Sequence, residues 1–223
     1  MKFKLPKRRP IAFYIGAALI LGTILVIGSF TSQLFLTSIS ISAEKVSKPI
    51  TNPFQSRFLP SSFYFPKGES HPKDKEDRPM AIIAQINFEE IPHLKGYPKT
   101  GILQFFIAAH DDLLGWDEDN FANPGNNQGY HVRFFPTVDR DLSKQKNDFS
   151  FLPPPTDYGE VFLPLEDEAR LTFQKRTEFI NPDGDRFTRI FGKDFYERLG
   201  PFEGQVWNWF YARPSRNQHK IGG

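Results

Sequence analysis

The chain opens with an apolar block, Ile11 to Phe30 (IAFYIGAALILGTILVIGSF), which carries no charge and has Thr23 and Ser29 as its only polar side chains besides the Tyr14 hydroxyl. A helix of this length, at about 1.5 Å per residue, spans about 30 Å, the thickness of a bilayer's hydrocarbon core. It is apolar all round, unlike a surface helix of a soluble domain, which keeps one polar face. The block predicts a single transmembrane helix over residues 11–30. A cleaved signal peptide is the competing reading, and Ser40-Ile41-Ser42-Ala43 offers small residues for a peptidase. Its apolar region would run only about 7–15 residues, so the length favours an anchor.

Beyond residue 30 the pattern breaks up. Residues 31–60 read as a tether, and Pro49, Pro53, Pro60, Pro66 and Pro72 interrupt any period up to about residue 78. The mixed charges of Lys73 to Arg78 read as a solvated turn. Short apolar runs follow at Met80–Asn87 (MAIIAQIN) and Gly101–Ala108 (GILQFFIA), each bounded by turn residues and suited to a strand buried on at least one face. Gly129–Phe135 alternates, with Tyr130, Val132 and Phe134 on one side and His131, Arg133 and Phe135 on the other. Leu171–Ile180 predicts another strand.

The period then changes. Phe187, Ile190, Phe191, Phe195 and Leu199 fall at near-helical spacing, with Asp183 as a candidate N-cap and Gly200-Pro201 as a stop. Gly192 lies inside that stretch and costs about 1 kcal/mol relative to Ala, so two short helices are expected. Val206–Tyr211 (VWNWFY) fits either a strand or a helix. The fold class is therefore mainly β (α+β), with short C-terminal helices and a single N-terminal transmembrane helix. The divisions are a basic tip at 1–10, the span at 11–30, the tether at 31–60 and one domain at 61–223.

Charge sharpens the membrane reading. Lys2, Lys4, Lys7, Arg8 and Arg9 precede the apolar block, and removing these five cations from the net +2 leaves −3 for residues 11–223. A basic tip stays cytoplasmic, which places the domain extracytoplasmic, or secreted if the segment is cleaved. The domain carries no cationic excess, so a nucleic-acid partner is not expected. The absence of cysteine excludes disulfides, thiol nucleophiles and Cys-ligated metals. Phenylalanine, with 24 copies, supplies enough aromatic area for a dense core.

Candidate chemistry is sparse. His110, Asp111 and Asp112, with Asp117, Glu118 and Asp119 just beyond, form the densest acidic cluster; such groups bind metals or move protons. The spacing fits no EF-hand, and a polar loop after a buried strand is the preferred reading. Gln85 and Gln104 stand in apolar strands, where an amide either serves neighbouring backbone groups or meets a ligand. Asn181-Pro182-Asp183-Gly184-Asp185 reads as a turn or helix cap rather than a Ca²⁺ loop. His93, His110, His131 and His219 are widely spaced, so no metal and no cofactor are expected. Trp207 and Trp209 fit either core packing or an exposed platform. No nucleophile-elbow, phosphate-loop or dinucleotide pattern is present, and the catalytic residues are unknown.

Residues 63–141 resemble the YwqG-like family, a bacterial domain of unknown function. The matching text is Phe63-Tyr64-Phe65-Pro66-Lys67-Gly68-Glu69, Pro79-Met80, Ala84-Gln85-Ile86-Asn87-Phe88-Glu89-Glu90-Ile91-Pro92, Gly96-Tyr97-Pro98-Lys99-Thr100-Gly101-Ile102-Leu103-Gln104-Phe105-Phe106-Ile107, Asp111-Asp112-Leu113-Leu114-Gly115 and Val132-Arg133-Phe134-Phe135. Leu171-Thr172-Phe173 and His219-Lys220-Ile221-Gly222-Gly223 extend it. The resemblance implies a predominantly β fold of two related halves and no established reaction. Arg57-Phe58-Leu59-Pro60 stands where the family carries a Gly-Gly pair. The text His-Lys-Ile-Gly-Gly leads on into a second half in the family, so a truncated member is one expectation, tested by the DNA downstream. The functional expectation is a membrane-anchored, non-enzymatic binding or protein-interaction module. A metal- or carboxylate-dependent enzyme using Asp111 and Asp112 and a non-functional remnant are the alternatives.

Overall fold

The computed structural model describes residues 35–110, 129–152, 167–180, 184–211 and 219–222. Residues 11–30, expected to span a membrane, lie outside them. Among the described residues no helix is long and apolar enough to cross a membrane.

Seven strands form one sheet: β1 (Phe35–Lys45), β2 (Arg57–Phe58), β3 (Ala81–Asn87), β4 (Ile102–Ile107), β5 (Tyr130–Phe135), β6 (Ala169–Phe179) and β7 (Lys220–Ile221), in the spatial order β5-β4-β3-β2-β6-β1-β7. The pairings of β2 with β3 and β6, β3 with β4, β4 with β5 and β1 with β7 are antiparallel. Between β1 and β6 the Ser40 hydroxyl donates to the Gln174 carbonyl and the Val46 N–H to the Glu168 carbonyl, so residue numbers fall along one strand as they rise along the other. The mainly β expectation stands.

The expected tether over 31–60 is corrected from residue 35 onward, because β1 and β2 are integral strands. Ser38, Ile39, Ser40 and Ile41 are buried on both faces of the sheet. The small serine hydroxyls let a polar-looking segment enter a packed layer, and that is what disguised it. In β2, Arg57 pairs in register with Gln85 on one side and Arg170 on the other. Leu59, which follows, is buried and adopts a left-handed backbone (φ 42°), a region that costs a side-chain-bearing residue about 1–2 kcal/mol.

Two compact units divide the chain. The larger holds residues 39–176 and 218–222. On one face of β3 and β4 its core is Phe63, Phe65, Met80, Ile82 and Phe106, with Phe149 and Leu152 closing over them. Phe63 and Phe65 stack at 5.7 Å, and Phe149 lies 4.4 Å from Phe63, the spacing at which aromatic pairs add to plain burial. The opposite face gathers Ile41, Phe58, Ala84, Ile86 and Leu171, with Leu103 and Phe105 packed beside them. The expected solvated turn at Lys73–Arg78 is also corrected in part. Asp74 is buried and its carboxylate accepts from the Glu76 and Arg78 N–H groups and from the Arg78 guanidinium.

The smaller unit includes residues 177–180 and 184–211 together with Phe35–Ser38. Its helices are α1 (Asp185–Phe191), α2 (Phe195–Leu199) and α3 (Glu203–Tyr211). Gly192, at φ 89°, ends α1 and splits the periodic run as expected, and Gly200, at φ 52°, ends α2. Gly184 occupies the N-cap of α1, whereas Asp183 lies outside the described residues. Phe187 anchors the unit, 4.4 Å from Phe191 and 5.4 Å from Phe195, over buried Ile180.

Candidate functional site

The polar residues of the AQINFEE block turn inward to hold a neighbouring segment. Gln85 is fully buried; its Oε1 accepts from the Tyr64 N–H and from Gln104 Nε2, both at 2.9 Å, and its Nε2 donates to the Pro53 and Gln55 carbonyls at 2.8 and 2.9 Å. Gln104 Nε2 also donates to the Tyr64 carbonyl at 2.6 Å. Asn87 Nδ2 donates to the Phe54 carbonyl, its N–H donates to the Ser56 hydroxyl, and Glu90 accepts from the Ser56 N–H. Of the two readings open for Gln85 and Gln104, the structural one accounts for every hydrogen-bonding atom except Gln104 Oε1, which is buried without a partner.

Arg57 completes the latch. It is fully buried; Nη1 donates to the Ile50 carbonyl at 2.6 Å and to Glu168 at 2.9 Å, and Nη2 donates to the Asn52 carbonyl. Burial lowers its pKa, while the Glu168 carboxylate holds the charged form against that. This is a largely buried ion pair that fixes the 50–57 segment.

Of the acidic cluster, Asp111, Asp112, Asp117 and Asp119 lie outside the described residues. His110 is half-buried in the turn after β4. Trp207 on α3 is exposed, and the side chain of Trp209 lies outside the described set. Among the described residues no three His, Asp or Glu side chains converge as a metal site would require.

The sequence reading missed a different gathering of polar groups. The β4–β5 register pairs Gln104 with Arg133 and Phe106 with His131 on one face of the sheet. The 63–71 segment crosses the same face, and His71 packs edge-on against Phe106 at 5.4 Å with its Nε2 2.8 Å from the Met80 carbonyl. Arg133 Nη2 donates to the Ser70 carbonyl at 2.8 Å, and Lys146 Nζ reaches the Glu69 carbonyl and sits 4.3 Å above the Phe65 ring. Burial, and then the positive charges of Arg133, Lys146 and His131, push the His71 pKa down despite its bond to Met80. His131 is lowered by burial and by Arg133. The partial alternation of β5 hinted at His131 and Arg133; nothing in the proline-broken text around His71 did.

The other face of β5 inverts the usual arrangement. Tyr130, Val132 and Phe134 are 37%, 48% and 40% exposed, while His131, Arg133 and Phe135 are less so. Across the strand pair they meet Ile107, Phe105 and Leu103 of β4, which are half-buried. Gly101 (φ 107°) permits a close approach beneath them, since a Cβ there would lie 2.6 Å from the Phe135 carbonyl and 2.8 Å from the Phe134 ring.

An antiparallel sheet with a glutamine-latched segment and an apolar edge strand defines a β module that carries no recognisable catalytic constellation among its described residues. Residues 61–223 match the family described as a domain of unknown function, DUF1963, and the chain belongs to it. That is consistent with the YwqG-like resemblance. No curated protein matches the chain. The matched region begins after β1 and β2, although both strands belong to the sheet.

Proposed function

We propose that the chain is a non-enzymatic interaction module, tethered to a membrane by residues 11–30, whose recognition surface is the outward face and outer edge of β5. The observation that carries this reading is the row of Val132 and Phe134, with Tyr130, exposed on the strand that ends the sheet among the described residues. Edge strands are normally defended by lysine, proline or bulges, and this one offers large apolar side chains instead. The tether rests on the uncharged length of residues 11–30 behind five cations.

The occupant that fits the strand's own alternation is a second copy. A two-fold contact places each residue opposite its symmetry mate. With Val132 on the axis, Tyr130 meets Phe134 of the other copy and Val132 meets Val132, pairs of the kind that stabilise a sheet. The same register sets His131 opposite Arg133. A shift to Arg133 on the axis would place two guanidinium groups together, which is unfavourable. Tethering both copies in one membrane raises their effective concentration.

The absence of cysteine gives a clean test. In a Val132→Cys variant of the full chain the only thiols would face each other across the two-fold, at a Cα separation of about 4.5–5.5 Å that admits a disulfide. Mild oxidation in native membranes is expected to yield a cross-linked dimer, and a Leu142→Cys control, 63% exposed and off the strand, is not. Equal cross-linking at both positions, or none at residue 132, overturns the reading. Recovery of the uncleaved chain in the high-speed supernatant of broken cells overturns the tether separately.

A further inference from the structure

Arg133 is a cation whose charge the protein answers poorly. Its side chain is 17% exposed; Nη2 is satisfied by the Ser70 carbonyl, but Nη1 is buried and makes no hydrogen bond. Among the described residues its carboxylate neighbour is Glu69, which stands 3.8 Å from Nη1, beyond hydrogen-bond range, and is itself 47% exposed. A buried charge without a close partner costs several kcal/mol, and a guanidinium is shaped to receive two oxygens of one anion.

The surroundings add positive potential. His71 and His131 flank Phe106 on the same face, at 5.4 and 6.2 Å, and Lys146 lies over Phe65. Because Nε2 of His71 bonds a carbonyl, it carries the proton in the neutral ring, leaving Nδ1 as a buried nitrogen with no partner. Among the described residues, four groups that are cationic or can become so are thus matched by one loosely held carboxylate. A fixed pair would place Glu69 at hydrogen-bond distance, and at 3.8 Å from Nη1 it is not there.

We propose that Arg133, with His71 and His131 beside it, binds a small oxyanion, a phosphate or a carboxylate, which displaces Glu69 from the guanidinium. Among the described residues, the charged groups facing His71 are Arg133 and His131 from β5, Lys146 from the 139–151 segment and Glu69 from its own segment. An arriving anion offsets the repulsion among the cations, so His71 takes up a proton at Nδ1 as the anion binds, and affinity rises as the pH is lowered into the range where His71 titrates. The site lies on the face of β5 opposite Val132 and Phe134, and the anion titrations read it without reference to cross-linking at residue 132.

The test uses the full chain in a non-ionic detergent, with inorganic phosphate and acetate titrated separately against potassium chloride at equal ionic strength. Calorimetry is expected to show saturable heat for at least one of the two probes at pH 6, weakened at least about tenfold by Arg133→Gln, the loss of one charge-assisted contact. Phosphate alone binding assigns a phosphoryl ligand, and acetate a carboxylate. Glu69→Gln, which removes the competing carboxylate, is expected to tighten binding several-fold, a gain that misfolding cannot produce. No saturable response in the unaltered chain, equal response in Arg133→Gln, or weaker binding in Glu69→Gln each overturns the proposal.

Discussion

Replacing Gln85 by Leu isolates what the glutamine pair does. The two side chains are close in size, so the substitution changes chemistry more than volume. It removes the partner of the Tyr64 N–H and of the Pro53 and Gln55 carbonyls, which bond this side chain at 2.8–2.9 Å, the first two in buried surroundings and the third in a part-buried one. Gln104 Nε2 keeps its bond to the Tyr64 carbonyl and adds little to the loss. Each stranded buried group costs about 1–3 kcal/mol, so three give at least about 3 kcal/mol, a large part of the 5–15 kcal/mol that holds a typical domain folded. Gln104→Leu is expected to cost less, because it also removes the buried Oε1 that has no partner. Urea unfolding of the full chain in detergent micelles, followed by tryptophan fluorescence, measures both midpoints. An effect of Gln85→Leu below about 1 kcal/mol at unchanged slope, or a larger effect of Gln104→Leu, would refute the structural reading and return these residues to the list of ligand contacts.

Other outcomes follow from the same contacts. Gly101→Ala forces a methyl to within 2.6 Å of the Phe135 carbonyl on a backbone at φ 107°, and is expected to lower the unfolding midpoint and disturb the Phe134 ring, seen as altered near-ultraviolet dichroism. Glu168→Ala leaves the Arg57 guanidinium buried without its counter-charge and is expected to cost about 3–5 kcal/mol, read by the same urea assay. His71 and His131 have folded pKa values below the ordinary 6.5, so the unfolded chain binds protons more readily; stability is full above 6.5 and is lost as pH falls through it toward the folded values. A urea series across that range measures the decline, and His71→Phe with His131→Phe flattens it. Asp74, whose pKa burial would raise but the Arg78 and Glu76 hydrogen bonds lower, contributes stability above 3.8 that is lost as pH falls through its folded value.

Legibility in the sequence followed apolar density. β3, β4 and β6 lie where the apolar runs predicted, and the break at Gly192 separated two helices because the local pattern and the packing agree there. β1 escaped because its text, FLTSISISAEK, mixes serine and threonine with isoleucine. Ser38 and Ser40 are buried between β6 and β7, so their polarity is a fact of composition and not of exposure, while Thr37 and Ser42 are exposed. β2 is two residues long, too short for any period, and is recognisable only through its pairing with Gln85 and Ala84. The Arg133 cluster joins residues more than sixty positions apart through strand register and one crossing segment. No local pattern encodes such a meeting. Gln85 and Gln104 were visible as exceptions inside apolar runs, and their partnership required the register to be known.

The two faces of β4 bring these strands of reasoning together. Ile102, Gln104 and Phe106 are buried beneath the 63–71 segment, while Leu103, Phe105 and Ile107 on the opposite side are only partly covered. A strand apolar on both faces is the signature of a sheet covered twice, since a strand with one wet face alternates polar with apolar. Toward β2 and β6 the opposite face is buried within a cluster of the sheet's own side chains, where Phe58, Ile86 and Leu171 pack with Phe105. Toward β5 it thins, and Val132 and Phe134 stand exposed at the end of the row. The composition of β4 and β5 is therefore that of an interior surface, while their described surroundings cover them only in part. On the proposed reading, a second copy set against β5 would extend the apolar row across the two-fold and cover Val132 and Phe134.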